Sequence, residues 1–391
     1  MKFTVNRKIM LEHLKTMIRI IPKDTPMQEL KGFLVEANED DGYLYLTATN
    51  LEVAMQRKLK PEVESGGSFV MNAKLLLDMM SVLGGDDVIF EEINPGTMRI
   101  KSGNCIYTMK VLDSGIYPRP KIPFPDSTVG ICNIRQMFIK TNATVGSEGS
   151  TDSSKGIHFR IAENGFKLES CNLRDIAIST NKMSCGGSMN FMLPKQTVSY
   201  LASAAGDEEL QVGMCGAFIV FLKAGMLFSA RKLTADFVDI NKILSSLERV
   251  YTAAVEGDVF EDAIKEICDV ATMGSESSYV KLEFNETSIT ASTYNEVGSV
   301  TNSANCVTVN SKYGLSFYYP AADLKRLFKT VEGRMMLQLD WRGYLLVEDV
   351  NNKFMLTATP EHSVQKQIER IEERKKKPRA RKKEQEEPKA A

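Results

Sequence analysis

The chain has 391 residues, 43% apolar and 25% charged, the balance of a globular protein long enough for about two to four domains. Its net charge is −1, which excludes an overall polyanion-binding composition. The charge is uneven, however: from Lys366 onward eleven Lys/Arg stand against six Asp/Glu, about +5, and the body is left at about −6. Seven scattered cysteines without a CxxC pair point to a reducing compartment. No apolar run nears the ~18 residues of a membrane-spanning helix, and "MKFTVNRKIM" has no signal-peptide core, so a cytoplasmic chain with no membrane partner is expected.

The first element is a short strand running into "NRKIMLEHLKTMIRII", where Leu11, Leu14, Ile18 and Ile21 keep helical spacing and Asn6 offers an N-cap oxygen. Next, "FLVEANEDDGYLYLTATNLEVAMQRKL" reads as two alternating runs joined by Asp-Asp-Gly, a hairpin turn in which glycine accepts positive φ. "GSFVMNAKLLLDMMSVLGG" then leads a strand into a second helix that stops at glycine, and "DVIFEEINPGTMRIKSGNCIYTMKVL" supplies three closing strands. "YPRPKIPFPDS" is a proline-rich link that continues neither helix nor inner strand.

The same order then returns. "NIRQMFIKTNATVG" is the helix, opening at Asn133. "GIHFRIAENGFKLESCNLRDIAIST" is the hairpin, "MNFMLPKQTVSYLASAAGD" the strand and second helix, and "ELQVGMCGAFIVFLKAGMLFSARKL" the closing strands. A third pass runs through "DVFEDAIKEICDVAT" from Asp258, "YVKLEFNETSITASTYNEVGSVT", "LSFYYPAADLKRLFKTVEG" and "RMMLQLDWRGYLLVEDVNNKFMLTATP". The expected fold is therefore α+β, with three copies of β-α-β-β-β-α-β-β-β. Each copy sets two helices against antiparallel sheet. The boundaries are 1–125, 126–247 and 248–362, followed by a charged tail, 363–391, too poor in apolar residues to order beyond about Arg374.

Three such units joined edge to edge satisfy one another's strand edges, and a closed ring would need a second chain related by rotation. "MKFTV", "LYLTATNLEVAM", "MNAKLLLDMM" and "FSARKLTADFVDINKIL", in collinear order over Met1 to Pro360, resemble the bacterial sliding clamp, the beta subunit of DNA polymerase III. The resemblance implies a half-ring that closes as a head-to-tail homodimer of six domains. Its helices would line a hole through which double-stranded DNA passes without sequence readout. The implied partners are a DNA polymerase, the clamp loader and a second copy of the chain.

Attraction to phosphate is sequence-independent, so distributed helix cations are the expected DNA contacts. They are Lys8, Lys15, Arg19 and Lys23 at the first helix, Lys74 at the start of the second, and Arg135 and Lys140 on the third. Lys195 begins the fourth helix, and Lys325, Arg326 and Lys329 lie on the last one. Lys23, Lys74 and Lys195 match DNA-facing positions by the resemblance. Lys155, in the Gly/Ser-rich "GSEGSTDSSKG", is a further phosphate-contact candidate.

The resemblance also implies an apolar cleft for partner peptides, formed by Cys171, Leu173, Arg174, Ile176, Val238, Lys242, Ile243, Arg342, Tyr344, Thr357, Thr359 and Pro360. Val238 stands where the family has proline, and Thr357 and Thr359 where it has larger apolar residues, so either weak binding of the usual peptide motif or preference for a variant one is expected. The dimer contact is expected between Tyr107 and Met109 of one chain and Ala271 and Thr272 of the other. Catalysis is not expected. The three histidines, His13, His158 and His362, are dispersed, and no HExxH, GxSxG, P-loop or dinucleotide fingerprint occurs. No metal and no cofactor is expected. The competing reading is a three-domain, non-enzymatic scaffold that does not encircle DNA.

Overall fold

The computed structural model describes residues 1–146, 151–273, 279–295, 298–309 and 311–376, with side chains to 373. The first repeat contains β1 (Lys2–Asn6), α1 (Arg7–Met17), β2 (Gly32–Asn38), β3 (Tyr43–Thr49), β4 (Val53–Leu59), β5 (Glu62–Ser65), β6 (Gly67–Asn72), α2 (Ala73–Val82), β7 (Asp87–Asn94), β8 (Thr97–Ser102), β9 (Cys105–Lys110) and β10 (Leu112–Asp113). The second contains β11 (Val129–Ile131), α3 (Ile134–Thr141), β12 (Gly156–Ala162), β13 (Gly165–Cys171), β14 (Ile176–Asn181), β15 (Met189–Pro194), α4 (Lys195–Ala205), β16 (Leu210–Cys215), β17 (Phe218–Lys223) and β18 (Met226–Arg231), with α5 (Ile240–Ser245) in the link that follows. The third contains β19 (Arg249–Glu256), α6 (Gly257–Ala271), β20 (Tyr279–Phe284), β21 (Ser288–Tyr294), β22 (Ser299–Asn305), β23 (Val307–Thr308), β24 (Leu315–Pro320), α7 (Ala321–Thr330), β25 (Arg334–Asp340), β26 (Tyr344–Glu348), β27 (Asn352–Thr357) and α8 (Glu361–Lys376).

Every repeat carries more strands than the seven its sequence suggested: ten, eight and nine in chain order. The run after the hairpin turn is two strands, β3 and β4, because Asn50 and Leu51 reverse the chain. Leu51 adopts φ 76°, and the Asn50 side chain accepts from the amides of Glu52 and Val53. The second repeat turns in the same way at Leu173, φ 72°. A left-handed conformation is uncommon for a bulky residue, so its return at the matching position is structural support for the repeat.

The chain divides into two compact units, one of Met1–Leu173 with Ile178–Val238, the other of Arg174–Ala177 with the residues from Asp239 onward. Within the first unit, β5-β1-β7-β8-β9 form one sheet, and β10-β6-β2-β3-β4-β18-β17-β16-β11 form a second that runs unbroken from the first repeat into the next. The seam is antiparallel pairing of β4 with β18, from Arg57 opposite Met226 to Val53 opposite Ala230. One apolar core, from Phe3 to Ala230, spans both repeats. The boundary expected near residue 125 is therefore a change of repeat and not a gap in packing. The proline-rich link lies on the nine-stranded sheet, where Tyr117 packs with Leu34 and Val70 and its hydroxyl donates to the Thr47 carbonyl at 3.3 Å. Pro125 then presses against Gly213, leaving no room for a Cβ there.

In the second unit, β22-β21-β20-β24 form one sheet and β27-β26-β25-β19-β23 another, around a core that includes Tyr251, Phe260, Phe284, Tyr319 and Phe354. The charged tail begins with structure its composition did not suggest. Glu361–Lys376 is helical, and Val364 and Ile371 are buried. The remainder of the tail, 377–391, lies outside the described residues.

Candidate functional site

The helix cations sit on faces opposite the core. On α1, Met10, Leu14 and Met17 are buried while Lys8 and Lys15 are exposed, with Arg19 and Lys23 just beyond. Asn6 caps the helix by accepting from the amides of Lys8 and Ile9. Lys74 follows Asn72, which caps α2 through the Leu75 amide at 3.0 Å, and Lys195 is the first residue of α4. Lys329 is exposed on α7. These positions combine a cation with the positive end of a helix dipole or an open helix face.

Several candidates are already engaged. Lys8 pairs with Asp86 at 3.1 Å, with both side chains 71% exposed, so solvent competes strongly for that pair. Lys325 pairs with Asp269 at 2.7 Å, which holds the Asp269 carboxyl below its usual range, and Arg326 pairs with Asp323 at 3.0 Å. Lys155 pairs with Asp152 at 2.9 Å; part of the glycine/serine string before it, 147–150, lies outside the described residues. Arg135 points to the end of α4, donating to the Ala202 carbonyl at 3.5 Å. Two further cations meet the same helix end: Arg57 donates to the Ala204 carbonyl at 2.7 Å and Lys223 to the Ala205 carbonyl at 3.4 Å. α4 has no basic residue in its own last turn, and these three supply the positive charge its C-terminus favours. The helix faces are also not uniformly basic: α6 presents Asp258, Asp262, Glu266 and Asp269 to solvent beside a single lysine, Lys265.

Of the cleft residues, nine belong to the second unit, and a cleft of about 240 Å³ lies there, lined by Arg342, Thr359 and Pro360 with Ser316, Phe317, Tyr318, Ala358 and Glu361. Arg342 is held in place by a bidentate pair with Asp340, at 2.8 and 3.0 Å, and donates to the Ser246 carbonyl at 3.1 Å. Its guanidinium lies over the rings of Tyr344 and Trp341, 5.0 and 5.7 Å from their centroids. Burial alone would raise the pKa of Asp340. The hydrogen bonds from Arg342 and from the Arg342 and Glu248 amides outweigh it, and the net shift is downward. Thr357 donates its amide to Asp175 at 3.3 Å and its hydroxyl to the Arg174 carbonyl. Thr359 donates its amide to the Tyr318 carbonyl at 2.7 Å, and its buried hydroxyl has no hydrogen-bond partner among the described residues.

Ile176 is buried, Ile243 and Tyr344 are half-buried, and Lys242 is exposed where the Asp239 carboxylate caps α5. In the first unit Cys171 is buried, Leu173 is exposed and Val238 is half-buried. Sequence reasoning missed Phe317, Tyr318 and Trp341. The aromatic triplet in "LSFYYP" and the chain's single tryptophan were signals present but unused.

The edge residues separate differently from expectation. β9 and β22 are terminal strands of their sheets. Tyr107 and Met109 turn toward their own core, whereas Ile106 is 61% exposed. Ala271 is wholly buried inside its own unit and offers no surface; Thr272 closes α6 by donating to the Cys268 and Asp269 carbonyls, and the neighbouring Met273 is 68% exposed.

Among the described residues no group of His, Cys, Asp or Glu has the arrangement of a metal site, and no helix is long and apolar enough to cross a membrane. The Cys268 thiol is pushed up to about 12 by burial, so it packs as an inert apolar group.

A family model described as the DNA polymerase III beta subunit, N-terminal domain, matches residues 1–122. The beta sliding clamp of Chlamydia trachomatis is 22% identical over 338 residues, covering 84% of this chain and 76% of its own length. The solved DNA polymerase sliding clamp of Bacillus subtilis superposes with a TM-score of 0.84 at 17% identity, covering 92% of this chain and 99% of its own. The DNA polymerase III beta subunit of Thermotoga maritima gives 0.82 at 15%, with the same coverage. These structural likenesses are of fold. They also leave a surplus in this chain that the solved chains lack.

Proposed function

The chain is a member of the DNA polymerase III beta subunit family and a sliding-clamp processivity factor, and we propose that it acts as a two-chain ring around duplex DNA. The observation that carries the ring is the pair of terminal strands, β9 in the first repeat and β22 in the third. The first two repeats already join by strand pairing across β4 and β18. A second copy allows the same device at these two edges: β9 of each chain pairs with β22 of the other, so neither is left as an aggregation template.

The ring holds DNA topologically. Lys15, Arg19, Lys23, Lys74, Lys195 and Lys329 contact phosphates weakly and without base readout, which permits sliding. The cleft beside Arg342 takes peptides of the replicative polymerase and of the clamp loader, with an aliphatic or aromatic anchor against Phe317 and Tyr318. The chain tethers and does no chemistry, as is general for this non-catalytic family, and it works in the cytoplasm at sites of replication.

The experiment loads the protein on a nicked circular DNA. It stays bound until the circle is linearised, then leaves. The Lys74→Glu, Lys195→Glu double variant folds normally but is retained less well, and because the ring carries each lysine twice the slope of log retention against log salt falls by about 4. Equal retention on circular and linear DNA removes the ring reading and favours the scaffold, for which the acidic face of α6 is the one specific observation. An unchanged salt slope in the double variant removes these two lysines from the lining.

A further inference from the structure

We propose that α8 is a tethered cover for the partner-peptide cleft, so that a peptide must displace it to dock. This rests on the reading of the cleft beside Arg342 as the peptide site.

The placement carries the inference. Glu361 is both the first residue of α8 and part of the cleft wall, and the helix packs against β24, the strand that contributes Ser316, Phe317 and Tyr318 to the same cleft. Its approach is fixed by the Thr359 amide on the Tyr318 carbonyl at 2.7 Å and by the Ser363 amide on the Pro360 carbonyl at 3.0 Å. The Lys281 ammonium, paired chiefly with Glu283 at 2.5 Å, adds attraction toward Glu361.

The attachment is slight. One stripe holds the helix: Val364 and Ile371 buried, Ile368 half-buried between them. The opposite face is Gln365, Lys366, Glu369, Arg370, Glu372 and Glu373, all exposed. A sixteen-residue helix with this composition is marginal by itself in water, so its order depends on that stripe staying docked. The cleft at its first residue is not filled: a space of about 240 Å³ remains, and the Thr359 hydroxyl is unsatisfied among the described residues. A helix ordered by so few contacts, at the mouth of an incompletely filled site, is built to be exchanged for a better-fitting segment. The resemblance read from the sequence runs to about Pro360, just before α8, so this control lies outside the part of the chain on which that resemblance rests.

The quantity at stake is the fraction of time the cleft is open. If α8 is docked nine-tenths of the time, the apparent affinity for a partner is reduced about tenfold. The test keeps the full chain and changes Val364→Asp with Ile371→Asp, which detaches the helix by placing charges in its apolar stripe. The probe is the replicative DNA polymerase subunit encoded in the same genome, immobilised on a sensor surface. Emission from Trp341, the sole tryptophan, 5.7 Å from the Arg342 guanidinium of the cleft wall, is followed in the same samples as a probe of that wall.

The expected result is polymerase binding about tenfold tighter in the double variant. Trp341 emission should shift without polymerase, and a synthetic peptide of residues 361–376 added in trans should reverse both changes. A melting curve shows whether the variant has kept its fold; if it has not, Val364→Ala with Ile371→Ala is used, with the same expectations at smaller amplitude. Equal affinity of wild type and variant overturns the cover while leaving the clamp reading intact. Weaker binding by a folded variant overturns it too, making α8 part of the docking surface. If no form of the chain binds the polymerase, the cleft reading falls, and the cover with it.

Discussion

His13 shows how a single position can be readable as a residue and unreadable as a state. Its imidazole is held below its ordinary pKa first by burial and then by the charges of Arg57 and Lys223. Both cations are drawn there by the end of α4, from strands far apart in sequence. The unfolded chain's histidine titrates near about 6.5. Below that pH the unfolded state binds a proton that the folded state refuses, so stability falls as pH drops toward the lower folded value. His13→Gln should remove this component. Urea midpoints at about pH 7.5 and about pH 5.5 should then differ less than in the wild type; an equal difference excludes His13 as the source. Asn50-Leu51 and Asn172-Leu173 carry a similar lesson. Both dipeptides are visible as a repeat, yet their conformation is not. Positive φ is read from glycine or asparagine, and here the leucine takes it at both turns, while at the first the Asn50 side chain satisfies the amides of Glu52 and Val53.

At the scale of elements, periodicity located the paired helices of every repeat because each buries one stripe on its own sheet. Their caps were less legible. Asn6 caps α1 as the sequence suggests, but Asn133 takes φ 61° and makes no side-chain cap, and Asp258 lies inside the first turn of α6. The cap of α3 comes from Asp207, just beyond the end of α4: its carboxylate accepts from the Gln136 amide at 3.0 Å and its carbonyl from the Asn133 amide at 3.2 Å. A local reading cannot find a cap supplied more than seventy residues away. Asp207→Ala should cost about 1 kcal/mol in urea unfolding, as the loss of a capping carboxylate does. Asn133→Gly should cost less, because glycine accepts the left-handed backbone without strain. The reverse order of these two variants would return the cap to Asn133. Elements were misjudged for a related reason at the chain's end, where composition argued for disorder. Val364, Ile368 and Ile371 are few, but they share one helical face and β24 gives that face something to cover. Tertiary packing settles what propensity leaves open.

For the whole molecule, the threefold pattern was legible because strand edges, turns and helices recur in one order. Which faces are left for assembly was not. Side chains alternate along a strand, so a sequence that nominates β9 as an edge cannot say whether its odd or even residues look outward. Tyr107 and Met109 are the larger and more obvious candidates, yet they complete the core of their own repeat. Ile106, between Cys105 and Tyr107, is the aliphatic side chain left 61% exposed. Covering the exposed part of that isoleucine in a chain-to-chain seam contributes about 1–2 kcal/mol per copy. A head-to-tail ring contains two such seams, so one substitution acts twice. Ile106→Asp should therefore convert a particle of about twice 43.6 kDa into one of 43.6 kDa in sedimentation, with the melting of each chain's own core little changed. It should also abolish retention on circular DNA while leaving peptide capture at the Arg342 cleft intact, since that site is built within one chain's second unit. A variant that still sediments as the dimer would move the seam away from β9, and with it the closure of the ring.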